Sequence, residues 1–440
     1  MGASTQLNAP ALDGELVTDE GARERAADDF GHLVHRVPRA VVRAGSVRDV
    51  AAAVRWAAGK GWPVAARGQG HSVYGRSQAE DGVVIDMAGL AGVERPGADR
   101  VRAGAGATWR EVLAATLPAG RTPPVLTNYL DLSVGGTLSV GGIGGTSHRY
   151  GLQSDSVLEL EVVTGDGSVV TCSPAEHPDL FDAVRAGLGQ CGVITRATLA
   201  LVPAPERVRR YTLTYPDLET YAADQELVLR EGRADHLQGT VRPEGGGWRY
   251  QVEIVVFGDR DPRPGLADRR AEAVVEELSY REHAEAFDRF TALLRSTGAW
   301  SAAHPWWLTF LPASTAVATA RGVLAGLTPD DLGELGLVTF YPVATAAMAT
   351  PLVRLPAGPV VYPFNLIRFA PPGAGAAMLA RNQALHPRVR AAGGVLYPVS
   401  ALPFGPADWA EHFGPAWAAL RRARERFDPA GVLTPGYELG

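Results

Sequence analysis

The chain has 440 residues, 46% hydrophobic and 20% charged, with a formal net charge of −6. That length exceeds one simple core and makes two domains the expectation. The acidic balance gives no basic face by composition, so nucleic acid is excluded as a partner, and no apolar run is long enough to cross a membrane.

Cys172 and Cys191 are too few for a disulfide framework or a four-ligand zinc site, and no metal is expected. The N-terminus lacks the apolar core of a secretory signal, so a cytoplasmic protein is the expectation. Residues 1–28 are polar and rich in small side chains and are expected to be poorly ordered. Lys60 is the only lysine, a bias that points to a GC-rich genome.

In chain order, AVVRAG (40–45) reads as a strand. SVRDVAAAVRWAAGKG (46–61) reads as a helix, with Ser46 as its cap, Asp49 three residues on, and Gly59 or Gly61 as its stop. PVAARG (63–68) and GVVIDMAGL (82–90) are further strands, and Thr108 with Glu111 forms a capping box before WREVLAATLPAG. VLELEVVTGDGSVVTCS (157–173) reads as a hairpin turning at Gly-Asp-Gly, PAEHPDLFDAVRAGLG as a helix, and GVITRATLALVPAP as a strand closed by Pro203 and Pro205.

After residue 205 the rhythm changes. RRYTLTY, HLQGTVRP, WRYQVEIVVFG and GPVVYPFNLIRF read as strands of an antiparallel sheet. RPGLADRRAEAVVEEL (263–278), GAGAAMLARNQALHPRVRAAG and ADWAEHFGPAWAALRRARERFDP read as helices. Strands and helices segregate in this way in α+β domains.

Three glycine clusters stand out. GLGQCG (187–192) has the spacing of a dinucleotide fingerprint, but a helix precedes it and a strand follows, the reverse of the required context. ARGQGHS (66–72) follows a strand and offers successive backbone N–H groups, the kind of nest that binds anionic oxygens. SVGGTLSVGGIGG (133–145) repeats the theme, with Ser133, Thr137 and Ser139 as extra donors. Two such loops could hold a diphosphate from both sides; read on pattern alone, they could equally be close-packed turns.

ARGQGHS resembles the flavin-attachment motif of the vanillyl-alcohol oxidase-type FAD-binding proteins. With NYLDLSVGGTLSVGGIGG, GLGQCGVITRATLALVPAP, HPWWLTFLP, DWAEHFGPAW and FDPAGVLTPG, the chain is most similar to the cytokinin dehydrogenases, from about residue 40 to its end. The resemblance implies an α+β architecture: a two-part FAD-binding domain and an antiparallel-sheet substrate domain. Residues 29–205 would bind FAD, 206–396 would form the substrate cap, and 397–440 would return to the FAD domain. It implies a bacterial oxidase or dehydrogenase of a small apolar molecule, with oxygen or another electron acceptor as the second partner.

The same resemblance assigns His71 as the covalent anchor of FAD. It places Arg67, Gly68, Gln69, Gly70, Ser72, Asn128, Ser133, Gly136, Ser139, Gly142, Ile143, Ile194 and Thr434 at the cofactor. Some relatives attach the flavin a second time through a cysteine near the VGG loop. Tyr129-Leu130-Asp131 stands there, so one bond is expected, and Cys191 is assigned to packing. Tyr437 stands where the family usually has glutamine.

One departure bears on mechanism. Where the family has an aspartate that accepts the substrate's amine proton, this chain has Asn128, and an amide is no general base. Thr291 stands near the place of a second family acid. Asp131, His148 and Tyr397 are the other candidates near the flavin, and His304, Trp306 and Trp307 read as packing or an aromatic wall. The expected reaction is hydride loss from a C–N or C–O carbon in a tailoring step. Secondary-amine oxidation by a true cytokinin dehydrogenase, and a flavin-bound isomerase or binding protein, stand as alternatives.

Overall fold

Among residues 9–440, which the computed structural model describes, order begins earlier than the composition implies. The first strand, β1 (Glu15–Val17), pairs antiparallel with β2 (Ala40–Arg43), and helix α1 (Glu20–Ala26) lies between them. The expected looseness of residues 1–28 is thus corrected for 9–28; the first eight residues lie outside the described ones. The fastening is polar: the buried Asp49 carboxylate accepts the backbone N–H groups of Asp13 (2.7 Å), Gly14 (2.8 Å) and Gly45 (2.8 Å). Asp19 also caps α1 through the Ala22 N–H.

Helix α2 (Val47–Ala58) starts at Ser46, whose side chain accepts the Asp49 N–H, and ends at Gly59. Strands β3 (Val64–Arg67) and β4 (Val83–Asp86) complete a sheet of order β1-β2-β4-β3, parallel apart from β1. Next come β5 (Arg100–Gly104), α3 (Trp109–Thr116) with its Thr108–Glu111 capping box, and β6 (Arg121–Thr122). Short helices α4 (Val134–Leu138) and α5 (Ser147–Tyr150) sit in the glycine-rich stretch.

The hairpin β7 (Val157–Val163) and β8 (Val169–Cys172) is followed by α6 (Pro178–Val184) and β9 (Val193–Ala200). These strands form an antiparallel sheet of order β5-β9-β7-β8. Strand β10 (Val202–Pro203) pairs with β6.

The second part is built on a nine-stranded antiparallel sheet. Its elements are β11 (Arg207–Tyr215), α7 (Leu218–Arg230), β12 (His236–Glu244), β13 (Gly247–Val256), β14 (Val274–Ser279), α8 (Tyr280–Ala284), α9 (Asp288–Ser296), β15 (Trp307–Pro312), α10 (Ala313–Leu324), β16 (Leu337–Phe340), β17 (Val343–Ala344), β18 (Val360–Ile367), α11 (Gly375–Ala391) and β19 (Val395–Leu396). Helices α7 and α10 cover one face of the sheet.

Two helix expectations fail in this region. Residues 274–279 form the edge strand β14, paired with β11, not the end of a helix. Arg209–Glu277 (2.6 Å) and Arg210–Glu276 (2.7 Å) lie across that pair, so tertiary pairing overrides an Ala/Arg/Glu-rich helical propensity. The C-terminal helix divides at Gly414-Pro415 into α12 (Pro406–Phe413) and α13 (Trp417–Phe427), as the missing N–H and ring of a proline require. Beyond α13 the chain returns to β3: Val64 N–H donates to Val432 O (2.8 Å), and Thr434 N–H donates to Val64 O (2.7 Å).

Candidate active site

The loop after β3 carries the histidine. The two glycine-rich loops meet at Gly68 and Ser133: a Cβ on Gly68 would stand 2.8 Å from Ser133 Cβ and closer still to its Oγ. Gly70 adopts φ +64°, and a side chain there would strike the Arg67 guanidinium. Arg67 itself donates to Asp28 O (2.6 Å). The carbonyls of Gly70 and Ser72 accept from Phe30 and Gly31. The N–H groups of Gly68, Gln69, Gly70, His71 and Ser72, by contrast, meet no acceptor among the described residues. Such a row of free donors suits the oxygens of a diphosphate.

In the second loop, Gly142 (φ +74°) leaves no room for a Cβ beside Gln153, whose buried Oε1 has no partner. Gly136 is exposed, and Ile143 lines the cavity described below. Ser139 donates its hydroxyl to Gly135 O (2.8 Å) and Ser72 donates to Asp29 Oδ2 (2.8 Å), so both spend their protons on protein. The Ile194 side chain is in the core, beyond the point where the β5–β9 register ends at Gly104–Arg196. Thr434 has φ +47° and donates to Gly189 O (2.9 Å).

His71 faces a cavity of about 530 Å³ between the two parts of the molecule. Its ring stacks on Phe30 (centroids 3.9 Å), which stacks in turn on His304 (3.9 Å). Burial, with His304 adding, pushes the His71 imidazole down to about 3. It is therefore neutral at physiological pH, with a lone pair on one ring nitrogen.

Beneath the loop lies Asp29, which sequence reasoning missed. Its carboxylate accepts the Ser72 hydroxyl and the N–H groups of Gly75 (2.6 Å) and Gly31 (3.0 Å). Burial raises it to about 6 against those hydrogen bonds. The signal was present as Asp-Phe-Gly just before the first parallel strand, but it fell at the margin of a segment expected to be loose.

Asn128 lines the same cavity in a reciprocal amide pair: its Nδ2 donates to Gln238 Oε1 (3.1 Å), and Gln238 Nε2 donates to Asn128 Oδ1 (3.0 Å). The other two catalytic candidates lie outside that cavity's lining. Asp131 is outside the cavity lining, held by Arg110 Nε (2.6 Å), and that arginine also grips Asp288 on α9 (2.8 Å). A carboxylate so paired is a structural anion. Tyr397 is buried outside the lining as well, with its hydroxyl accepting the Gly142 N–H (3.0 Å) and its pKa raised by burial. Tyr397 therefore positions the glycine loop.

His148 is wedged between Gly145 O and Ala234 O, and Thr291 donates to Asp288 O. Trp300 and Trp306 wall the cavity, whereas Trp307 is core. Cys191 is buried in the core, as expected of packing, and Tyr437 lies under the Arg76 guanidinium (4.7 Å).

Comparison with known proteins agrees with this geometry. A model described as an FAD binding domain matches residues 38–173, and one described as "Cytokinin dehydrogenase 1, FAD and cytokinin binding" matches residues 263–439. Cytokinin dehydrogenase 7 of Oryza sativa subsp. japonica is 32% identical, with 100% of this chain and 94% of the relative covered. The chain belongs to the cytokinin dehydrogenase family.

It is also 40% identical to an oxidoreductase described as "ORF5 in fasciation locus" of Rhodococcoides fascians, over 96% of this chain and 98% of that one. Among solved structures, 6-hydroxy-D-nicotine oxidase from Arthrobacter nicotinovorans superposes with a TM-score of 0.76 at 22% identity, with all of both chains covered. Xylooligosaccharide oxidase from Myceliophthora thermophila C1 gives 0.78 at 20% identity over 95% of each. These two share the fold. The protein is an FAD-binding oxidoreductase of this family, and the free N–H row and the glycine cradle fit that cofactor. Among the described residues no helix is long and apolar enough to cross a membrane, and no His/Cys/Asp/Glu group could hold a metal.

Proposed function

We propose that this protein carries FAD bonded through His71 and oxidises a small molecule at a C–N or C–O carbon, as a tailoring enzyme with requirements different from those of the standard cytokinin dehydrogenases. When bound, the flavin supplies a hydride acceptor. The chain's own contribution is positional. The backbone donors of residues 68–72 are free for anionic oxygens, the Phe30–His304 stack fixes the His71 ring, and Trp300 and Trp306 wall the cavity.

The observation that carries the reading is the neutral Asn128–Gln238 pair. Each amide retains one N–H and one acceptor lone pair for a substrate, so the pair can orient a group but cannot take its proton. A donor that arrives as a neutral amine, or already ionised, needs no protein base here. Oxygen or another electron acceptor would be the second substrate.

The test is anaerobic mixing of the flavin-loaded protein with secondary amines and alcohols, isopentenyladenine among them. The expected result is bleaching by some members of the panel and little with isopentenyladenine. Rapid bleaching by isopentenyladenine would instead establish the second reading, a cytokinin dehydrogenase that tolerates asparagine, which the similarity to cytokinin dehydrogenase 7 of Oryza sativa subsp. japonica favours. Asn128→Asp separates the two: a strong gain in amine oxidation marks a scaffold of that type whose base was lost.

A further inference from the structure

Alternate residues of β12 (His236, Gln238, Thr240 and Arg242) form a row on the cavity floor, while Leu237 and Val241 are buried on the other face. Most charges on that floor are matched. Arg210 donates to Glu276 (2.7 Å) and lies 3.8 Å from Glu253, whereas burial keeps His236 neutral.

Arg242 is different. Among the described residues no carboxylate comes within ion-pair distance of its half-buried guanidinium, and no acceptor meets it. Its guanidinium lies over the ring of Phe290 on α9, 5.3 Å from the centroid. Burial lowers its pKa with no nearby acid to raise it again. Removing a cation from water without a counterion is costly, and a ligand anion removes that cost.

The approach to Arg242 is aromatic. Ring contacts run from Phe290 to Phe369 (6.3 Å), His304 (5.2 Å), Phe30 (3.9 Å) and His71 (3.9 Å). Phe290, Phe369, Phe30 and His71 all line the cavity, and His304 links the rings from behind, so aromatic contacts join the cation to the proposed flavin anchor. Gln238 and Arg242 are four residues apart, about 13 Å along a strand. A flat apolar body with an anionic group at one end matches this arrangement.

We infer that Arg242 is a substrate-binding residue that receives a carboxylate or phosphate in this cavity. The inference rests on the reading of this cavity as the substrate site and sharpens the expected substrate from apolar to amphipathic.

Isothermal titration calorimetry of the flavin-loaded protein with 2-naphthylacetate, 2-naphthyl phosphate and the neutral 2-naphthylacetamide tests it without turnover. One charge-assisted contact predicts that at least one anion binds about tenfold or more tighter than the amide. Arg242→Gln should abolish that preference, and Arg242→Lys should keep part of it. The relative affinities of the two anions distinguish carboxylate from phosphate. Equal binding of anions and amide, no binding of either anion, or a preference that survives in Arg242→Gln would overturn the inference. A protein that shows the Arg242-dependent preference yet is bleached by no donor would defeat the redox reading alone.

Discussion

Gly68→Ala places a methyl group where the two glycine loops touch. The new carbon would stand 2.8 Å from Ser133 Cβ, against a normal carbon separation of about 3.5–4.0 Å. The loops must therefore part by roughly 1 Å. Neither is free to do so. Next to Ser133, Val134 N–H donates to Ala107 O (2.8 Å) and Gly135 N–H donates to Ala105 O (2.9 Å). The His71 loop is tied by Phe30 N–H to Gly70 O (2.9 Å) and by Ser72 to Asp29. Overpacking of this kind costs about 1–3 kcal/mol, and it falls on the loops that hold the cofactor. The assay is the flavin-to-protein absorbance ratio after purification, with the thermal midpoint of the same samples. Both should fall in Gly68→Ala, and the thermal midpoint should recover in Gly68→Ala/Ser133→Gly, which removes the colliding atoms. Wild-type flavin content in the single variant, or no recovery of the midpoint in the double, refutes the reasoning.

Arg110 bridges Asp131 to Asp288 and lies 3.9 Å from Glu285, so Arg110→Ala leaves three acids facing one another across the two parts. With these groups about one-third exposed, a loss of about 1 kcal/mol is expected in urea titration, shrinking at high salt. Asp29 is raised from 3.8 to about 6, so the folded state binds its proton more tightly than the unfolded chain. Its contribution is present at low pH and lost as pH rises from about 4 to about 6, roughly 3 kcal/mol in all. The stability difference between wild type and Asp29→Asn should therefore move by that amount, toward wild type at the acidic end, in urea titrations across that window. A pH-independent difference would contradict it.

Much of this architecture was legible because local signals and tertiary demands agree. Ser46, Gly59 and the Thr108–Glu111 box begin or end helices where the pattern placed them. The 187–192 glycines do follow a helix and precede a strand. The failures mark long-range terms. Val274–Ser279 is a strand because β11 is there to pair with it, and residues 9–28 are ordered because Asp49, far along the chain, supplies acceptors.

In the site, the glycine loops announced themselves through composition. Asp131 and Tyr397 could not be assigned from spacing, since only the fold reveals that Arg110 holds one and Gly142 the other. The alternation in HLQGTVRP was plain, but a polar stripe beside water and a polar stripe flooring a covered cavity read alike until α9 closes over it.

The central claim is that the cofactor is anchored at His71, beside that cavity. Mass spectrometry of acid-precipitated protein after proteolysis tests it most directly. The account predicts one flavin-bearing peptide containing His71 and none in His71→Ala. Release of all the flavin into the acid supernatant, with the His71 peptide at its unmodified mass, would contradict it.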